Sequence, residues 1–197
     1  MTENTQTNSA QSPPHQPATW LGFSLRDIVD IAIFAALTFV GMCVGEPLHA
    51  IKIFGIQTLL TGPFITFFAM FTLIKVRKPG SVVLLSIIST IIVLPMHPTA
   101  FIYSLFATIC AEIIALSIFR SYEKRAARFV CAILAAILQL PVLLAYTALI
   151  VGNIHTALIG SAAAISIVFV LGIALCIGAA FLSEKVAAEL RKSGRMR

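Results

Sequence analysis

Six apolar runs alternate with short polar connections along the chain, most of them near the roughly 20 residues that carry a helix across the hydrocarbon layer of a bilayer. They extend from about Ile28 to Val44, Ile53 to Ile74, Ser81 to Leu94, Thr99 to Phe119, Phe129 to Val151 and Thr156 to Leu182. The third is short because Pro95 and Pro98 remove backbone donors and stop regular helix. The first 18 residues are rich in Thr, Asn, Gln, Ser and Pro, without the apolar core or basic start of a cleavable signal. The pattern predicts an all-α integral membrane protein with six transmembrane helices in one bundle. Residues 1–22 read as a disordered cytoplasmic tail, 23–185 as the bundle and 186–197 as a basic cytoplasmic tail.

Composition strengthens this reading: 59% of the 197 residues are apolar and 11% charged, against about half and a quarter in a soluble domain. Mean hydropathy is +0.99. The net charge of +6 takes its meaning from placement. With six spans, both termini and the second and fourth connections share a side, and thirteen of the fourteen basic residues fall there, leaving Lys52 alone opposite. That is a positive-inside signature with both termini cytoplasmic, and it needs neither nucleic acid nor another anionic ligand. Cys43, Cys110, Cys131 and Cys176 sit inside apolar runs without CxxC spacing, which predicts inert thiols and no zinc ribbon. Neither GxxxxGK[ST] nor GxGxxG occurs, so the chain shows no nucleotide site of its own.

The remaining polar residues sort by depth. His49, His97 and His155 fall on the three external connections, with Glu46, Lys52, Gln57, Met96, Tyr103 and Asn153 beside them. Polar groups at the outer ends of several helices predict a substrate-binding pocket under apolar walls; the competing reading is that each side chain separately reaches water. Glu46 and His49 are three apart, on one face of a helical turn. With His97 and His155 they carry the donor types of a metal site, and Met96 with His97 those of haem axial ligation.

Glu112 lies about 12 Å from the cytoplasmic end of the fourth span at 1.5 Å per residue, where a carboxylate is costly unless paired, protonated or facing a cavity. It reads either as a functional acid or as an inward-facing one capped by hydroxyls or reaching toward Arg120. Asp27 and Asp30 open the first span, where the helix dipole favours them, and read as structural. Ser86, Ser89 and Thr90 either satisfy their own backbone carbonyls or line the pocket. Ala32 and Ala36, one turn apart with Ala35 alongside, allow another helix to approach closely in lipid. Ala132, Ala135 and Ala136 form a second small series suited to internal packing.

On these features the chain resembles S components, the substrate-binding membrane subunits of energy-coupling factor (ECF) transporters. The resemblance covers roughly Ser24 to Lys185 and rests on chain length, six spans, and the opening Leu25-Arg26-Asp27-Ile28-Val29-Asp30-Ile31-Ala32-Ile33-Phe34-Ala35-Ala36-Leu37. Leu60-Thr61-Gly62-Pro63-Phe64 and Leu73-Ile74-Lys75-Val76-Arg77-Lys78-Pro79-Gly80 are similar to members whose substrates are poorly assigned. The resemblance implies a non-enzymatic subunit of a bacterial cell membrane that captures a vitamin or similar micronutrient. It further implies a membrane T component and two ATPase subunits as partners, with ATP used by those partners and no cofactor intrinsic to this chain. Docking on the T component maps to Ala32, Ala35 and Ala36, and substrate to the neighbourhoods of Glu46 to Gln57 and Leu94 to Tyr103. Within that frame the histidines and Met96 make haem, a metal chelate or a metal ion the distinctive ligand, with a plain vitamin equally compatible. The alternative from another class is an intramembrane metal-dependent enzyme using Glu46, His49, His97 and His155. No HExxH or nucleophile elbow accompanies them.

Overall fold

The computed structural model describes residues 22–45, 47, 55–95, 98–151 and 162–194. Among them the chain is helical throughout, with no β-strand. In order come α1 (Leu25–Gly45), α2 (Thr58–Lys75), α3 (Ser81–Val93), α4 (Pro98–Phe119), α5 (Arg125–Ile137), α6 (Gln139–Tyr146), a π-helical turn (Thr147–Val151) and α7 (Ala162–Lys192). Five stretches are long and apolar enough to cross a membrane: α1, α2, α4, Arg125–Ile150 and Ile165–Lys192. The apolar α3 has only 13 residues, about 20 Å at 1.5 Å per residue.

Both faces of these helices are apolar, but only one is packed. In α1, Ile31, Ala35, Thr38, Gly41 and Gly45 point inward at helical spacing, while Val29, Ile33, Leu37, Val40 and Val44 are exposed. Ile102, Phe106, Ile113 and Ile118 repeat the outward stripe on α4, and Ile167, Val170 and Leu171 on α7. Large apolar side chains on an outer surface of this extent fit a bilayer as solvent, and the chain is described accordingly as a multi-pass membrane bundle.

The centre of the bundle is α2, which packs against α1, α5 and α7 and more lightly against α3. Half of its most apolar window is buried, against 17% for α7 at the periphery. Apolar helices gain little by leaving lipid for one another, so close fit decides their association. Small residues supply it between α4 and α5, where Ala111, Ala115, Cys131, Ala132 and Ala135 are buried in one core. The predicted internal role of Ala132, Ala135 and Ala136 is met, since all three are buried. Glycines supply it between α1 and α2: a Cβ on Gly41 would lie 2.6 Å from Phe64 Cγ, and one on Gly45 2.6 Å from Thr61 Cγ2.

Two spans differ from expectation. The fifth begins at Arg125 and breaks at Leu138 into α5 and α6. Pro141 has no N–H to give the carbonyl of Ile137, the last residue of α5, so the ladder is interrupted there. The sixth runs ten residues past Leu182, and Val186, Ala187 and Leu190 pack on the core. Residues 186–192 therefore continue the sixth span as a packed helical extension.

Candidate binding cavity

All the basic residues among the described ones gather at one end of the bundle, and that end is tied by polar contacts. Ser24 and Asp27 form a reciprocal cap on α1: Asp27 N–H donates to Ser24 Oγ at 3.2 Å, and Ser24 N–H to Asp27 Oδ2 at 3.0 Å. Lys78 reaches Asp27 at 2.8 Å and Lys75 reaches Asp30 at 2.7 Å, joining α1 to the end of α2. Asp27 and Asp30 are thus structural, as their position at a helix start predicts.

Glu112 is resolved in the same way. Its carboxylate accepts from Gly80 N–H at 2.7 Å, Val83 N–H at 3.3 Å and the Tyr122 hydroxyl at 3.1 Å. Those two amides belong to the start of α3, so an acid on α4 does the work of a cap for a neighbouring helix. Gly80 meets it with φ +86°, a conformation open to glycine at little cost. Burial pushes the Tyr122 phenol far above its ordinary range, so it keeps the proton it donates. The acid reaches Tyr122 and not Arg120. Tyr122, two residues into a basic connection, carried no signal in the sequence that it would fold back ten positions onto this carboxylate.

At the opposite end the helices part around a cavity of about 140 Å³. Its walls come from five elements: Met42 and Gly45 of α1; Gln57, Thr58 and Thr61 at the start of α2; Val93 of α3; Thr99, Ala100 and Tyr103 of α4; Gln139 and Leu143 of α6. Below it a smaller space of about 20 Å³ shares Met42 and Gln139 and adds Thr38, Ser86, Ser89, Ser104 and Thr108. The two together form a polar column. Gln139 Nε2 donates to Ser104 Oγ at 3.3 Å, and Thr108 Oγ1 to Ser86 Oγ at 3.2 Å. Ser104, Thr108 and Glu112 follow at four-residue spacing on one face of α4, so a single helix carries the column toward the fixed end. Ser89 and Thr90 bond their own backbone at Leu85 O and Ser86 O, while Ser86 and Ser89 line the smaller space.

Of the residues expected to bind substrate, Gln57 and Tyr103 come together on this cavity. Glu46, His49, Met96, His97, Asn153 and His155 lie outside the described residues, as does Lys52. Among the described residues no three His, Cys, Asp or Glu side chains are grouped to hold a metal. The four thiols are unpaired; Cys131 and Cys176 are buried, whereas Cys43 is exposed on α1. Ala36 is exposed and Ala32 half-buried, whereas Ala35 is fully buried in the core.

Two contributors were missed. Gln139 stands out as an amide inside an apolar run two residues before Pro141, a pairing that marks a broken helix with a polar group at the break. Gly41-Met42-Cys43-Val44-Gly45 is a small-xxx-small motif, and its glycines bring α1 onto α2 where Met42 and Gly45 face the cavity. No protein-family model, curated protein or solved structure matches the chain.

Proposed function

We propose that this chain is the substrate-capture subunit, an S component, of an ECF-type importer in a bacterial cell membrane. In this reading six spans, the short α3 included, place both termini in the cytoplasm with the basic end. The cavity then opens from the external side, and a T component with two ATPase subunits provides the energy that a chain without a nucleotide site lacks. Ala32 and Ala36, half-buried and exposed on α1, are the docking positions.

One observation supports the reading above the others: a cavity at the end opposite the basic residues, read by Gln57, Tyr103 and Gln139. Two carboxamides and a phenol donate and accept hydrogen bonds without charge. With Met42 and Val93 as apolar wall they suit an uncharged, partly aromatic micronutrient better than a metal ion. A volume of about 140 Å³ is close to that of a cavity that holds benzene, so the part of a ligand seated here is one small ring. A haem or metal chelate would rely on His49, His97 and His155 at the adjoining connections.

Mass spectrometry of small molecules co-purifying with the full chain tests this. The expected result is one species enriched with wild type and lost from Gln139→Leu and Tyr103→Phe proteins of normal yield. Equal recovery from all three removes the cavity as the substrate site. Uptake of that species by cells carrying Ala32→Trp or Ala36→Trp tests docking: normal uptake with normal expression removes the partner assignment while leaving binding intact.

A further inference from the structure

We propose that the basic end of the bundle holds a specific site for the phosphate headgroup of an anionic phospholipid, built where α2, α5 and α7 meet. The site gathers Arg77 from the connection after α2, Arg125 and Arg128 from the first turn of α5, and Arg191 from the last turn of α7. Arg77, Arg191 and Arg125 all lie close enough to act on the Arg128 guanidinium, with the Glu184 carboxylate opposing them. Glu184 is already engaged by Arg125.

Among the described residues, two independent features leave this cluster short of anionic acceptors beyond Glu184. Arg128 Nε is buried and has no hydrogen-bond partner among the described residues, an N–H taken from water without replacement there. Meanwhile α5 starts with no side-chain cap and no acidic residue in its first turn. Its first-turn N–H groups, without a side-chain cap, and its positive dipole end thus coincide with arginines, the reverse of the usual arrangement. A phosphate placed there accepts from Arg128 and from the helix start together and screens four like charges.

A lipid is favoured over a free anion by what lies next to the cluster. Phe181 and Leu182, each 55% exposed, project from α7 about one turn before Glu184. Phe181 packs on Phe129 in a tilted pair with ring centroids 5.1 Å apart, and Arg125 lies 5.4 Å over that same Phe129 ring. An acyl chain therefore runs along an apolar strip directly below a phosphate held by arginines. This inference rests on the membrane reading of the bundle and is independent of the ligand in the cavity.

Native mass spectrometry of the full chain in detergent, titrated with phosphatidylglycerol or phosphatidylcholine, tests it. Wild type is expected to retain phosphatidylglycerol preferentially, and Arg128→Gln to reduce that retention about fivefold, the scale of one basic contact near a membrane surface. Phosphatidylcholine retention should be unaffected. Lys185→Gln, at the same end but outside the cluster, should retain phosphatidylglycerol as wild type does. If Arg128→Gln yields no folded protein, Arg77→Gln in the connection takes its place with the same expectation. Equal retention of the two lipids, or equal loss from Arg128→Gln and Lys185→Gln, overturns the site. Displacement of phosphatidylglycerol by millimolar inorganic phosphate overturns the lipid assignment in favour of a free anion.

Discussion

Glu112 and Gln139 are buried to nearly the same degree, 4% and 6% exposed, yet they serve the two ends of the bundle differently. Around Glu112 two backbone amides and a phenol close on one carboxylate and lock α3 to α4 and to the connection that follows it. Around Gln139 the amide bonds Ser104 and otherwise forms wall, in a span broken by Pro141 and continuing into a π-helical turn. The difference lies in what breaking each costs. Separating α3 from α4 leaves N–H groups unsatisfied in hydrocarbon, whereas reshaping the cavity exchanges one neutral partner for another. The bundle thus has one end fixed by bonds to a carboxylate and one end held at the cavity by a neutral pair.

The largest test of this contrast is Glu112→Ala. Two part-buried amides lose their acceptor at about 1–3 kcal/mol each, so the melting temperature of the purified protein should fall by about 10 °C. A melting curve unchanged by that substitution would show that the fixed end is held by packing alone. Next comes the seam between α1 and α2: Gly41→Leu places a side chain against Phe64 and should cost about 1–3 kcal/mol of overpacking. Because Met42 and Gly45 share the cavity wall, it should also weaken ligand recovery; full recovery with a lowered melting temperature would separate the seam from the site. Gln139→Leu should leave the melting temperature within a few degrees yet weaken ligand binding about tenfold, the equivalent of one lost hydrogen bond. A large thermal loss instead would make Gln139 a structural residue like Glu112.

The smallest effect is expected from Lys75→Ala. Its pair with Asp30 is part-exposed, with side-chain accessibilities of 24% and 16%, and such pairs contribute at most about 1 kcal/mol. The loss should shrink further in high salt, read as convergence of wild-type and variant melting curves. A salt-independent loss of several degrees would instead assign the lysine a packing role through its buried stem.

Element by element, the helices were legible because apolar run length and proline position act locally. α3 and α4 start and stop within a residue or two of the boundaries that Pro95 and Pro98 predict. The break at Leu138 was equally local in origin, but a single proline inside an apolar run does not say whether the helix bends, shifts register or ends. The extension of α7 to Lys192 was hidden because its polar surface residues look like a tail, while Ala187 and Leu190 reveal their packing only against neighbours. Of the site, Gln57 and Tyr103 were legible as polar residues near outer helix ends. Gln139 and the glycine seam were not, since their meaning depends on which helix faces which.

What the sequence determines by itself here is the class and its polarity: apolar runs of bilayer length make the helices, and basic residues crowded at one set of helix ends mark one side. These follow from composition and spacing, which a chain carries in any conformation. The tertiary structure alone decided that Glu112 caps the helix beside it, that Ala35 points inward while Ala36 points out, and that Gln139 joins Gln57 and Tyr103 around one cavity. The Glu112 cap and the Gln139 cluster depend on partners 29 to 82 residues apart in sequence, brought together by packing between helices whose two faces are almost equally apolar. With so little one-sidedness to read, the inward face is chosen by fit, and fit exists only once the helices have met.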